Sequence, residues 1–190
     1  MKKIRIFYIY NELLKIMNEF TILMHLLSNK TNKIQIGASK EEILKALNIH
    51  GKNESIYFQD LISHLSSYIE PLGLQIRFNP LSSRWYLAFQ MHTSEFISAN
   101  PFEDKTRLAA TLFCTLICCL KNLGIAKIQD IKEIRKKKHI IEDLKELRKM
   151  GYLQLDDKLG KVSLTPLIGY QLDLNKLFIK LALKLKQQDT

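Results

Sequence analysis

The sequence predicts an α+β fold that is mostly helical, and three observations carry that expectation. The order helix, helix, helix, strand, turn, strand is written twice along the chain. Each third helix stops at a glycine, Gly73 and Gly151, and a final amphipathic segment follows the second copy. That order is the one found in winged-helix modules. The expected architecture is therefore two tandem winged-helix domains with an added C-terminal helix, divided as residues 1–98 and 99–190. With 190 residues and 46% apolar content the chain has material for two small cores, and a charged fraction of 25% is that of an ordered protein.

In the first copy, Leu13, Leu14, Met17, Phe20, Leu23, Met24 and Leu27 recur at helical spacing and define a helix over 12–28. Ahead of it stands 4-IRIFYIY-10, dominated by large apolar residues. Ser39 and Glu42 have capping-box spacing and open a short helix over 39–49, with Ile43, Leu44 and Leu47 on its apolar face. A third helix fits 54–70 and is stopped by Pro71 and Gly73. Strands over 74–78 and 84–89 flank Asn79-Pro80-Leu81-Ser82-Ser83, a turn composition. Residues 91–100 serve as the linker.

The second copy opens with Asn100 as cap, Pro101 in the first turn and Glu103 as the capping acid of a helix reaching about Lys121. Asn122-Leu123-Gly124 closes it. A short helix over 127–135 and a third helix from Ile140 to Gly151 follow. Strands over 152–156 and 161–165 then flank a charged turn. In 173-DLNKLFIKLALKLK-186, Leu174, Leu177, Phe178, Leu181 and Leu185 share one face, while Lys176, Lys180 and Lys184 lie away from it.

The net charge of +10 is unevenly spread. Residues 1–29 carry 4 basic and 2 acidic side chains, residues 30–100 carry 7 and 6, and residues 101–190 carry 18 and 11. An acidic partner would therefore meet the second half. The apolar run 108-LAATLFCTLICCL-120 is shorter than the roughly 20 residues a membrane span needs, so it is expected to be a buried helix. The N-terminus begins like a signal peptide, but Arg5, Glu12 and Lys15 interrupt it and no small-residue cleavage site follows, which points to a cytoplasmic protein without a membrane partner. Cys114, Cys118 and Cys119 fall within the apolar run without metal-site spacing; they are expected as small core residues in a reducing compartment. The five histidines lie apart, and neither a carboxylate dyad nor a phosphate-cradling glycine loop is present, so the expectation is a protein that is not an enzyme and takes no cofactor or metal.

If the two third helices read DNA, their outward faces should carry Arg, Lys, Asn or Gln. Helical spacing instead turns Asp60, Ser63, Ser66 and Ser67 outward in the first, with Phe58, Leu61, Ile62, Leu65 and Ile69 inward. In the second, Ile140, Ile141, Leu144 and Leu147 turn inward, leaving Glu142, Lys145, Glu146 and Lys149 outside. Carboxylates facing phosphates oppose binding. The candidate contact for nucleic acid or another acidic partner is Arg135, Lys136, Lys137 and Lys138, with a solvated connector as the plainer reading. Ile4, Ile6, Phe7, Tyr8 and Ile9, together with Leu177, Phe178 and Leu181, are candidates for a partner or dimer interface. Trp85 and Tyr86 are expected to brace the second strand on the core.

The segments 84-RWYLAF-89, 108-LAATLFCTLICCL-120, 131-IKEIR-135, 141-IEDLKELRKMGYL-153 and 160-GKVSLT-165, in this order, resemble the segregation and condensation protein B family, especially its archaeal members. The chain departs from that family at 122-NLGIAKI-128 and in its closing segment, 167-LIGYQL-172. The resemblance implies a non-catalytic tandem winged-helix subunit that binds the kleisin of an SMC ATPase complex, acts in chromosome condensation and segregation at the nucleoid, and forms a homodimer. Weak, sequence-blind contact with DNA is compatible with it. The competing reading is a sequence-specific winged-helix transcription regulator. A tandem winged-helix subunit of another assembly shares the fold.

Overall fold

The computed structural model describes residues 2–32, 35–90, 102–174, 177 and 179, with side chains described from residue 14 onward. Chain contacts divide it into two compact units, Met1–Asn79 with Ser83–Ile97 and Pro80–Ser82 with Ser98–Thr190. Helices and small antiparallel sheets build both, so the class is α+β.

In the first unit α1 spans Lys2–Ser28, β1 Lys30–Asn32, β2 Gln35–Ile36, α2 Lys40–Ala46 and α3 Glu54–Ile69. A 3-10 turn over Glu70–Leu72 leads to β3, Leu74–Asn79, and β4, Arg84–Phe89. The first helix is longer than its apolar spacing predicts. The segment 4-IRIFYIY-10 is not a separate lead-in but part of α1, because no glycine or proline interrupts the backbone hydrogen bonding between it and the core-facing turns. Pro71 and Gly73 end α3 as expected, with Gly73 in the left-handed conformation at φ 72°.

Strands β3 and β4 pair antiparallel from Leu74↔Phe89 to Asn79↔Arg84. Ala38, just ahead of α2, adds a bridge to Trp85, its N–H donating to Trp85 O at 3.0 Å and its carbonyl oxygen accepting from Trp85 N–H at 2.8 Å. That approach requires Gly37, whose φ is 84° and whose position would put a Cβ 1.9 Å from Trp85 O. The core gathers Phe20, Leu23 and Leu27 of α1, Ile43 and Leu44 of α2, and Phe58, Leu61, Ile62, Leu65 and Ile69 of α3. Full burial of each such side chain contributes about 1.5–3 kcal/mol before the entropy of ordering is subtracted. Trp85 packs edge-on against Phe58, with ring centroids 5.6 Å apart, and Tyr86 is buried, as their bracing role requires.

In the second unit α4 spans Thr106–Lys121, β5 Ile125–Lys127, α5 Ile128–Arg135, α6 Ile140–Lys149, β6 Leu153–Asp156, β7 Lys161–Leu164 and α7 Pro166–Gln171. The sheet order is β5-β7-β6, antiparallel throughout. Helix α4 starts later than the Asn100–Glu103 pattern predicts. Asp104 takes a left-handed conformation at φ 60°, which breaks helical continuity, and Lys105 occupies the cap position. The loop Asn122-Leu123-Gly124 closes α4 as expected, with Leu123 at φ 53° and Gly124 at φ 95°.

Strand β5 and helix α7 had no counterpart in the expected element list, because three residues of strand and one turn of helix carry too little periodicity to be seen. The core gathers Leu108, Leu112, Leu116, Cys118 and Cys119 of α4 with Ile131, Ile140, Leu144, Leu147, Leu153 and Val162. All three cysteines are free thiols; Cys118 and Cys119 are buried, and Cys114 is half-buried. After α7, Leu174 is buried and Leu177 N–H donates to Asp173 O at 2.9 Å, the first helical bond of the predicted closing segment. Beyond Leu174 the rest of that segment apart from Leu177 and the exposed Ile179, and the linker over 91–100, lie outside the described residues. Among the described residues no helix is long and apolar enough to cross a membrane.

Candidate functional site

The outward face of each unit's third helix is the one a base-reading module would place in the groove, so its chemistry decides what it can touch. On α3 the five residues predicted to turn inward are all buried. Asp60, Ser63 and Ser67 are exposed and Ser66 is half-buried. Ser67 Oγ donates to Ser63 O at 3.2 Å, so part of this polar face is used by the helix itself. No lysine or arginine occurs in α3, and its exposed large apolar groups are Ile56 and Tyr57 at the start and Tyr68 at the end.

On α6, Glu142, Lys145 and Lys149 are exposed and Glu146 is half-buried. Arg148 Nη1 lies 3.5 Å from Asp157 Oδ2, which ties its charge to the turn between β6 and β7. The inward set differs from expectation at two positions. Ile141 is half-buried, and Asp143 is buried at 2% exposure. Thr111 Oγ1 donates to Asp143 Oδ2 at 2.9 Å. Arg107 Nε lies 2.8 Å from Oδ1, an ion pair whose N–H is not aligned well enough for a hydrogen bond. The buried acid therefore docks α6 onto α4 and takes no part in the exposed face. Helix angles contained this result: Asp143 lies about 60° from Ile140 on the core arc, whereas Ile141 lies about 100° away.

The cationic run sits on the connector between α5 and α6, as its sequence position requires. Lys136, Lys137 and Lys138 are exposed, with Lys136 at φ 48° in the left-handed region. Arg135 differs from them. It ends α5 half-buried, and its Nε is buried without a hydrogen-bond partner among the described residues. His139 Nδ1 lies 3.4 Å from Glu142 Oε2 at the start of α6.

Of the apolar interface candidates, Ile4, Ile6, Phe7, Tyr8 and Ile9 are placed on α1, their side chains outside the described set. The turns that follow expose Leu14, Ile16 and Met17 at 50%, 42% and 41%, and the first buried side chain among the described residues is Phe20. Residues 2–18 make about 25 Å of helix ahead of that position. Leu177 is half-buried and packs on the second core, while Phe178 and Leu181 lie outside the described residues.

No group of three metal-ligating side chains that could hold an ion occurs among the described residues. A groove of about 350 Å³ lies against the second unit's sheet, lined by Ile125, Gln154, Leu155, Asp156, Leu159, Lys161, Val162 and Ser163. Burial pushes the Cys119 thiol up to about 11, with its neighbour Cys118 adding to the effect and the Ala126 backbone opposing it. Such a thiol is a poor nucleophile.

No family model and no curated protein matches the chain. The solved structure of ScpB from Mycobacterium tuberculosis aligns with 79% of this chain and 90% of its own length, at 11% identity and a TM-score of 0.32. An overlap that loose carries neither residues nor roles across.

Proposed function

We propose that this chain is a non-catalytic accessory subunit of an SMC-kleisin chromosome condensation and segregation complex. In this reading residues 1–98 and 99–190 are tandem winged-helix domains that hold a kleisin segment and form a homodimer, in the cytoplasm at the nucleoid. The observation that carries it is the chemistry of the two third helices. A module that reads bases must present cationic or amide side chains to the groove. Here α3 presents Asp60, His64 and serines with Gln59 as its one exposed amide and no lysine or arginine, and α6 presents Glu142 among its lysines. A scaffold of this kind is better suited to another polypeptide, and the motif order that resembles the segregation and condensation protein B family supplies the identity of that polypeptide.

The test is co-elution of the full chain with the kleisin encoded in the same genome, read as solution mass. Association at micromolar concentration is expected. Two free species at that concentration would overturn the proposal. A duplex bound with strong preference for one sequence would replace it with the transcription-regulator reading.

A further inference from the structure

We infer that the turn between α4 and β5 is an anchor for an acidic polypeptide segment, which lies across Leu123 and the adjoining groove. The inference rests on the proposed kleisin-holding reading and adds where that segment lies and what chemistry it carries. Helix α4 ends at Lys121 with Asn122 as its cap, and Gly124 N–H donates to Cys119 O at 2.7 Å. This is the Schellman pattern, in which the left-handed residue after the cap is usually glycine. Here that residue is Leu123, at φ 53°, and glycine comes one position later. Leu123 is also 99% exposed. A left-handed backbone and an apolar side chain in water are both unfavourable for the isolated chain. The turn is nevertheless firmly held: Ile125 N–H donates to Asn122 O at 3.2 Å, and Asn122 Nδ2 donates to Cys118 O at 3.1 Å. A held, strained turn that presents a bare leucine has its compensation in a partner that takes the side chain up.

The apolar surface continues beside it. Ile125 follows two residues later at 50% exposure, and it lines the groove of about 350 Å³ with Leu159, which is 64% exposed. The strand register gives that surface a polar margin. One row runs Ile125, Ser163, Gln154, and the next places Lys161 between Lys127 and Asp156. Two cations thus face one acid, and Asp156 Oδ1 already accepts the backbone N–H groups of Lys158 and Leu159, each at 3.1 Å.

A polypeptide fits this set better than a nucleic acid. Leu123, Ile125 and Leu159 offer a phosphate nothing, whereas they can enclose apolar side chains of a peptide. The charge decides what else that peptide carries. Residues 101–190 hold 18 basic against 11 acidic side chains, and the margin repeats that excess at Lys127 and Lys161, so carboxylates flank the apolar contact. The stretch 122-NLGIAKI-128 is also where the chain departs from the family it resembles, so this surface belongs to the chain itself.

The experiment is calorimetric titration of the full chain with the kleisin encoded in the same genome, beside chemical denaturation of each variant. L123N removes the apolar side chain and keeps a residue that tolerates the left-handed backbone. It should weaken association by about tenfold while the denaturation midpoint holds or rises. L159N should weaken association as well, and so should K127E, through lost charge complementarity. I56Q, which removes an equally exposed side chain from the first unit, should leave the affinity unchanged. Failure of the wild-type chain to bind would overturn the kleisin reading and this inference with it. Wild-type binding that L123N leaves intact would overturn the inference alone. So would a lowered midpoint in L123N, which would show the chain itself covering Leu123. A fall from dimer to monomer mass with the affinity unchanged, or weakened binding of duplex DNA but not of the kleisin, would also overturn it.

Discussion

Gly37 shows how much a single position can decide. A Cβ there would stand 1.9 Å from Trp85 O, with that carbonyl carbon and the Tyr86 side chain next in line, and the backbone already sits at φ 84°. Neither neighbour can yield, because Trp85 O accepts the Ala38 N–H that joins the chain ahead of α2 to β4. G37A is therefore expected to destabilise the first unit by about 3 kcal/mol or more, read by chemical denaturation. Cys119 acts through titration instead. Its folded pKa of about 11 exceeds the unfolded reference of 9.0, so the folded state holds the proton more tightly. Stability is then fully present below about pH 9 and is lost as pH rises toward 11, by roughly 2–3 kcal/mol. C119A should remove that loss, which denaturation midpoints on either side of the window would reveal.

At the level of elements, α2 is held less by its own seven residues than by what reaches it from β4. Ser39 Oγ accepts the Glu42 N–H at 3.2 Å, and Glu42 Oε2 accepts the Ser39 N–H at 3.0 Å. Arg84 then grips the same carboxylate with two hydrogen bonds, of 2.9 and 2.7 Å, and adds a third to Gly37 O at 2.6 Å. The capping box is visible in the spacing of Ser39 and Glu42. Arg84 is not, because nothing local links residue 84 to residue 42. Loss of the cap in S39A should cost about 1 kcal/mol and loss of the clamp in R84A about 1–2 kcal/mol, the latter moderated by the half-exposed Glu42. Because both act on one carboxylate, the double variant should deviate from additivity by about 0.5 kcal/mol or more in a double-mutant cycle. The same contrast explains α1: its core-facing turns follow from apolar spacing, while its extension through 4-IRIFYIY-10 follows from an uninterrupted backbone, a weaker signal in a stretch rich in strand-favouring side chains.

For the molecule as a whole, α1 is where the proposed dimer is most directly tested. Among the described side chains its first buried one is Phe20, so removing residues 2–13 takes away none of the described first core. Under the proposed function that deletion should lower the solution mass from dimer to monomer while the far-ultraviolet circular dichroism per residue changes little. An undiminished dimer mass would move the interface elsewhere.

The sequence by itself determined the α+β class, the inward faces of α3 and most of α6, the turn positions at Gly73 and Gly151, and the absence of cations on α3. Each depends on periodicity, composition or backbone freedom, which act within a few residues. Only the tertiary structure decided that Asp143 is a buried anchor between α6 and α4, that Arg135 folds partly inward, and that Lys127 meets Lys161 across two strands. Those outcomes join positions up to 36 residues apart. A charge becomes core, connector or contact according to which distant neighbour the fold brings to it, and local spacing carries no record of that neighbour.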